Sequence, residues 1–217
     1  MKIFLGYLLT YIYVFLILII LGILKKKKLI KENTSRKLVH ILVGFSWIIM
    51  YYYFELSIHM IILPITIVIF NFLSYKFNIA KSMEEENKDS MGTIFYAFSF
   101  VILASITYFF PKFYPFYGIG IFSMCLGDGI APFIGKKFNK KIGKTNKTYA
   151  GSLIVFLSTF IVIVCFTLYF KLNLNILKII ILSLIAIPLE LFSKKGSDNL
   201  TLPIGIAVLT YLVESWM

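Results

Sequence analysis

Asp128 stands between two glycines at the end of an apolar run, and six lysines follow it: Lys136, Lys137, Lys140, Lys141, Lys144 and Lys147. Gly151-Ser152 then opens the next apolar run. An ionisable side chain beside lipid is costly unless water or a partner compensates it, so Asp128 is a functional candidate. A carboxylate suits Mg2+ when phosphate oxygens complete the ligand shell. Gly127 and Gly129 lack a Cβ and let backbone or ligand come close. Most lysines of this loop are expected to anchor it on anionic lipid. Lys136, directly after Gly135, and Lys147, directly before Thr148, are placed to meet nucleotide phosphates as point charges. The GxxxxGK[ST] spacing of a Walker A loop is absent. Gly151 and Ser152 fall where a helix starts, and free backbone N–H groups there favour an anion. The stretch therefore reads as a site for a metal-bound polyphosphate at a membrane surface.

Three further clusters carry polar chemistry. Arg36 and His40 are four residues apart, which puts them on one helix face. His40 suits a general base or a phosphate ligand, and Arg36 an orienting contact. Asp89 precedes Gly92-Thr93 and is expected either to ligate a second metal position or, with Ser90, to cap the following helix; Glu84, Glu85 and Glu86 read as a solvated charge run. Glu190 follows Pro188 near a helix end and is either a site acid or a partner for Lys194 or Lys195. Asn199, beside Asp198, completes the polar set. His59 is expected near the outer face and receives no role.

The elements that must position these residues are hydrophobic. Of 217 residues, 59% are hydrophobic and 15% charged, against about 25% charged in soluble domains. Apolar runs of membrane-spanning length cover Ile3–Leu24, Leu38–Phe54, Leu56–Leu73, Met91–Phe110, Tyr114–Ile134, Leu153–Phe170 and Ile176–Phe192. A shorter run, Leu200–Val213, contains Pro203 and Gly205 and is either an eighth span or a re-entrant segment. An all-α polytopic integral membrane bundle of seven to eight helices, forming a single domain over 1–217, is expected, because helices satisfy their backbone internally in lipid. The first run is too long for a signal h-region, and Lys25–Lys28 follow it, so it reads as an uncleaved span. Cys125 and Cys165 fall inside spans without metal-ligand spacing and read as packing residues.

Alternate loops carry 18 of the 22 basic residues, and the other set carries four. By the positive-inside rule, the lysine-rich loops are cytosolic and the N-terminus is outside. Every cluster named above lies on that cytosolic side. The net charge of +12 points to anionic headgroups and phosphate substrates rather than nucleic acid.

Taken in order, the fragments resemble the CTP-dependent polyprenol kinases, which include dolichol kinase and phytol kinase. The matching residues are Glu32 with Ser35-Arg36-Lys37-Leu38-Val39-His40, Asp89 with Gly92-Thr93, and Gly127-Asp128-Gly129-Ile130-Ala131 with Gly135-Lys136-Lys137. Lys147-Thr148 with Gly151-Ser152 follows, and then Glu190 with Asp198-Asn199-Leu200-Thr201-Leu202-Pro203. Phosphatidate cytidylyltransferases share the Asp, Gly and Lys-Thr/Ser parts. One departure stands out: Ala150 occupies the position where the family carries an acid, so either Glu190 or Asp89 substitutes or activity is altered. The resemblance implies transfer of the γ-phosphate of CTP to the hydroxyl of a long-chain isoprenoid alcohol, with Mg2+. It gives Asp128 the metal and phosphate role and Lys136 and Lys147 the phosphate contacts. Arg36 and His40 orient acceptor or phosphate, and Asp89, Glu190 and Asn199 complete the site. The alternatives are a cytidylyltransferase that makes a CDP-lipid and a non-enzymatic transporter or lipid-binding protein. The last is disfavoured because the polar residues gather at one face rather than the midplane.

Overall fold

The computed structural model describes residues 1–77, 91–138, 140–143, 145, 147–193 and 196–216. Among them the secondary structure is helical, apart from a single bridge pairing Lys141 with Thr148. The helices are α1 (Lys2–Lys26), α2 (Glu32–Gly44), α3 (Ser46–Phe54), α4 (His59–Phe77), α5 (Gly92–Phe109), α6 (Tyr114–Phe138), α7 (Tyr149–Phe170), α8 (Ile176–Leu191) and α9 (Asp198–Ser215). A short 3-10 turn, Pro111–Phe113, leads into α6. The chain is an all-α membrane helix bundle. Five segments are long and apolar enough to cross a bilayer: α1, α2 with α3, α5, α6 with its leading turn, and α7.

The remaining expected spans are more modest. α4 holds 19 residues, and its apolar stretch covers at least His59–Ser74. The 16 residues of α8 reach only about 24 Å at the usual helical rise, short of a full hydrocarbon core. Leu200–Val213 lies within one continuous helix, α9, despite Pro203 and Gly205.

The core is organised around α6, which is the most enclosed span and packs against α7, α9, α2 and α5. Small residues make this possible, since close helix approach in a membrane depends on them. A Cβ at Gly120 would collide with the Pro203 carbonyl of α9, and one at Gly129 with the Ile41 side chain of α2. Tyr117, Ile119, Ile121, Met124 and Cys125 are buried between these neighbours. Both cysteines are free; Cys125 is buried and Cys165 exposed.

The run expected as one span over Leu38–Phe54 is broken at Phe45 into α2 and α3. At the break, Gly44 packs so closely on Cys125 that a Cβ there would strike its sulfur. Two carbonyls of α2 near this point also accept from tyrosines of other helices. Tyr13 of α1 donates to the Leu42 carbonyl at 2.8 Å, and Tyr96 of α5 donates to the His40 carbonyl at 3.0 Å. α2 packs against α6, and Lys37 and His40 lie on the side that meets Asp128.

Candidate active site

Asp128 projects from the C-terminal half of α6, and its side chain is 7% exposed. Lys37 Nζ donates a 2.7 Å hydrogen bond to Asp128 Oδ2. His40 Nε2 lies 3.6 Å from the same oxygen, beyond hydrogen-bonding distance. Lys37 and His40 are three residues apart, so they share the face of α2 that meets α6. The absence of a Cβ at Gly129 sets that approach. The His40 ring packs 4.4 Å from the Tyr96 ring, and its Nε2 is buried without a hydrogen-bond partner. Arg36 sits half-buried on the preceding turn.

A second group of charges adjoins the first. Lys147, in the loop before α7, donates to a Glu190 oxygen and, at 3.0 Å, to Asp198 Oδ2. Glu190 comes from the C-terminal turn of α8 and Asp198 from the first turn of α9. Burial works against the Lys147 charge, yet Asp198, Glu190 and Asp128 outweigh it and hold the ammonium above the ordinary lysine range. It is therefore a cation throughout the physiological pH range. Asp128, Glu190 and Asp198 each offer a carboxylate oxygen, and these atoms lie within 4.8 Å of one another. Three hard oxygen donors at that spacing suit Mg2+, with phosphate and water as remaining ligands. Glu190 Oε2 is buried and has no hydrogen-bond partner, so a donor remains available in the group.

These charges open onto a cavity of about 180 Å3 between the C-terminal end of α6 and the start of α7. Asp128, Gly135, Lys136, Lys147, Ser152 and Glu190 contribute to its wall. Thr148 is the N-cap of α7, and its hydroxyl accepts from the Gly151 N–H at 3.1 Å. The Ser152 N–H reaches the Thr148 carbonyl at 2.9 Å. Both backbone donors expected to be free for an anion are thus engaged. The unpaired group is the Ser152 hydroxyl, buried on the cavity wall. Gly135 is close enough to Thr148 that a Cβ would meet its hydroxyl, and Gly127 faces Ser158 of α7. These two glycines hold α6 against α7 where the cavity forms.

The fold brings together most of the residues read from the sequence: Asp128, His40, Glu190, Lys136, Lys147, Gly135, Gly151 and Ser152. Glu190 was weighed as a partner for Lys194 or Lys195; its described partner is Lys147. Asp89, Ser90 and Glu84–Glu86 lie outside the described residues, while α5 begins with Met91 at its N-cap. Asn199 stands beside Asp198 and donates to the Gly92 carbonyl at 2.9 Å, tying the start of α9 to the start of α5. Lys37 and Asp198 also take part, as partners of Asp128 and Lys147. Both lay inside quoted motifs, and the three-residue spacing of Lys37 and His40 was the available signal. The other end of the bundle holds a separate polar group, with Lys2 paired to Glu55 and Tyr7 3.1 Å from His59 Nδ1.

The chain is similar to several known proteins. The chain is 34% identical to a phytol kinase of Synechocystis sp. over 146 residues, which is 64% of this chain and 61% of the relative. It is 26% identical to phytol kinase 1, chloroplastic, of Arabidopsis thaliana over 213 residues, 87% of this chain and 69% of the relative. A probable phytol kinase 1, chloroplastic, of Oryza sativa subsp. japonica is 27% identical over 218 residues, 88% and 67% of the two chains. The chain is homologous to phytol kinases. It spans 61% of the length of its cyanobacterial phytol-kinase relative. The homology agrees with the resemblance carried by the fragments between Glu32 and Pro203. No protein-family model and no solved structure matches the chain.

Proposed function

We propose that this protein is a prenyl-alcohol kinase that transfers the γ-phosphate of CTP to the hydroxyl of a long-chain isoprenoid alcohol at the cytosolic membrane surface. The observation that carries the proposal is the meeting of three carboxylates and Lys147 beside one cavity in a chain whose relatives are named phytol kinases. The lysine distribution supports placing this end of the bundle in the cytosol. A lipid-embedded acceptor then keeps its tail among the helices, while the nucleotide arrives from water.

Phosphoryl transfer depends mainly on positioning and charge neutralisation. In the proposed reaction the acceptor oxygen forms a bond to the γ-phosphorus, the bond from that phosphorus to the β-bridging oxygen breaks, and CDP leaves. The hydroxyl proton passes to a site base or to water. Asp128, Glu190 and Asp198 would hold Mg2+, which would supply charge neutralisation for the phosphates. Lys147 and Lys136 bind phosphate oxygens as point charges, and Ser152 donates its hydroxyl to the same anion. Lys37 holds Asp128 in place. His40, with Nε2 unpaired 3.6 Å from Asp128, orients the acceptor. Ala150, half-buried in the first turn of α7, leaves the acidic role to Glu190 and Asp198.

The test is product analysis in membranes containing the protein, using γ-labelled CTP and a panel of prenyl alcohols. Label appearing in a prenyl monophosphate, with CDP formed, supports the reading. Pyrophosphate with a CDP-lipid from phosphatidate would identify a cytidylyltransferase instead.

A further inference from the structure

We propose that Lys147 is a tethered counter-ion that occupies the carboxylate cluster in place of a free divalent cation, so that metal and triphosphate enter the site interdependently. The inference rests on the reading of the cluster as the metal and polyphosphate site and says how that site fills.

Asp128, Glu190 and Asp198 crowd three carboxylates within 4.8 Å. Like charges this close repel strongly where water is scarce. Lys147 Nζ answers two of them, Glu190 and Asp198. An ammonium attached to the chain acts at a high effective concentration, so free Mg2+ must displace it. Lys147 is nevertheless built to leave. It lies in the loop before α7 rather than within a helix, and its side chain is 28% exposed against 4% for Glu190. Its flexible four-carbon stem can carry the charge elsewhere. Lys37, by contrast, is fixed on α2 and contacts Asp128.

An independent feature indicates what draws Lys147 away. Ser152, a residue only 6% exposed, lines the cavity shared with Lys147, Asp128 and Glu190, and its buried hydroxyl has no partner. A phosphate oxygen lodged there accepts from Ser152 and offers Lys147 a new partner. The vacated carboxylates then accept the metal, to which the triphosphate adds further oxygen ligands.

The test uses the full-length protein in detergent, with Mn2+ as probe and electron paramagnetic resonance as readout. Without nucleotide, Lys147→Gln binds Mn2+ roughly tenfold more tightly than wild type, within the usual range of coupling between sites. Asp198→Asn in the Lys147→Gln background removes that binding. Equal Mn2+ affinity in wild type and Lys147→Gln, or weaker binding in the variant, overturns the proposal. Wild type alone gives a second measurement. Mn2+ retained on the protein after gel filtration rises when a β,γ-methylene analogue of CTP is added, and unchanged retention overturns the proposal equally. The first comparison contains neither nucleotide nor acceptor. A protein that behaves as described there and phosphorylates no alcohol therefore refutes the proposed activity alone.

Discussion

Lys37 Nζ donates to Asp128 Oδ2 at 2.7 Å, joining α2 to α6 across 91 positions of sequence. The Asp128 carboxylate is buried, and a buried charge persists only with a partner. The pair fixes the carboxylate that adjoins Glu190 and Asp198, so the first basic cluster of the chain acts on the centre of the site. The same turn of α2 delivers His40.

Asp128→Asn removes one charge from the carboxylate cluster and the ionic partner of Lys37. The expected result is a fall in kcat of about 100-fold or more, as for loss of a group that stabilises charge at a reacting centre. Lys37→Gln lowers activity as well, and the double variant is less impaired than the two effects combined. Coupling of about 0.5–3 kcal/mol is usual for contacting residues. Additive effects in the kinetic cycle would show that the pair does not work as a unit.

Gly129→Val places a side chain against Ile41. The expected cost is about 1–3 kcal/mol, typical of overpacking, seen as a lower Tm in detergent together with reduced activity as α2 moves from Asp128. Ile41→Ala in the same chain makes room and recovers part of both. A Gly129→Val protein with unchanged Tm and activity contradicts the account of how α2 is placed.

Thr148→Ala removes the hydroxyl that accepts from the Gly151 N–H. Loss of such a cap costs about 1 kcal/mol. Because Thr148 also borders the cavity, KM for nucleotide rises more than kcat falls. A change in kcat alone would place Thr148 in the chemical step instead.

The residues that stand out in sequence are those whose type conflicts with their surroundings. Asp128 and Glu190 are acids beside apolar runs, and both are buried in the site. Lys147 was separable from five loop lysines because Thr148 and Gly151-Ser152 follow it. Lys37 was not, since a lysine at a membrane boundary next to Arg36 has the composition of an anchor. Asp198 was eclipsed by Asn199, and only the packing of α8 against α9 shows that it reaches Lys147. The break at Phe45 follows Gly44, whose close approach to Cys125 shows only in the fold. The identity of the bundle was legible from apolar length alone, whereas the 16-residue length of α8 was not.

Ala150→Glu places an acid in the first turn of α7, where the helix dipole favours it by about 0.3–1 kcal/mol. With Glu190 and Asp198 already beside Lys147, the added carboxylate is expected to raise Tm slightly and to change kcat by less than about tenfold. A much larger gain in kcat would mean that Glu190 and Asp198 do not replace the acid found in the resembled kinases.

The central claim is that the Asp128, Glu190, Asp198 and Lys147 cluster serves phosphoryl transfer to a prenyl alcohol. Its most direct measurement is the fate of γ-labelled CTP in membranes containing the wild-type chain or Asp128→Asn, supplied with farnesol, phytol, polyprenols and phosphatidate. The account predicts labelled prenyl monophosphate and CDP from the wild type, and neither above background from Asp128→Asn. Pyrophosphate and CDP-lipid as the sole products, or equal prenyl phosphate from both proteins, would contradict it.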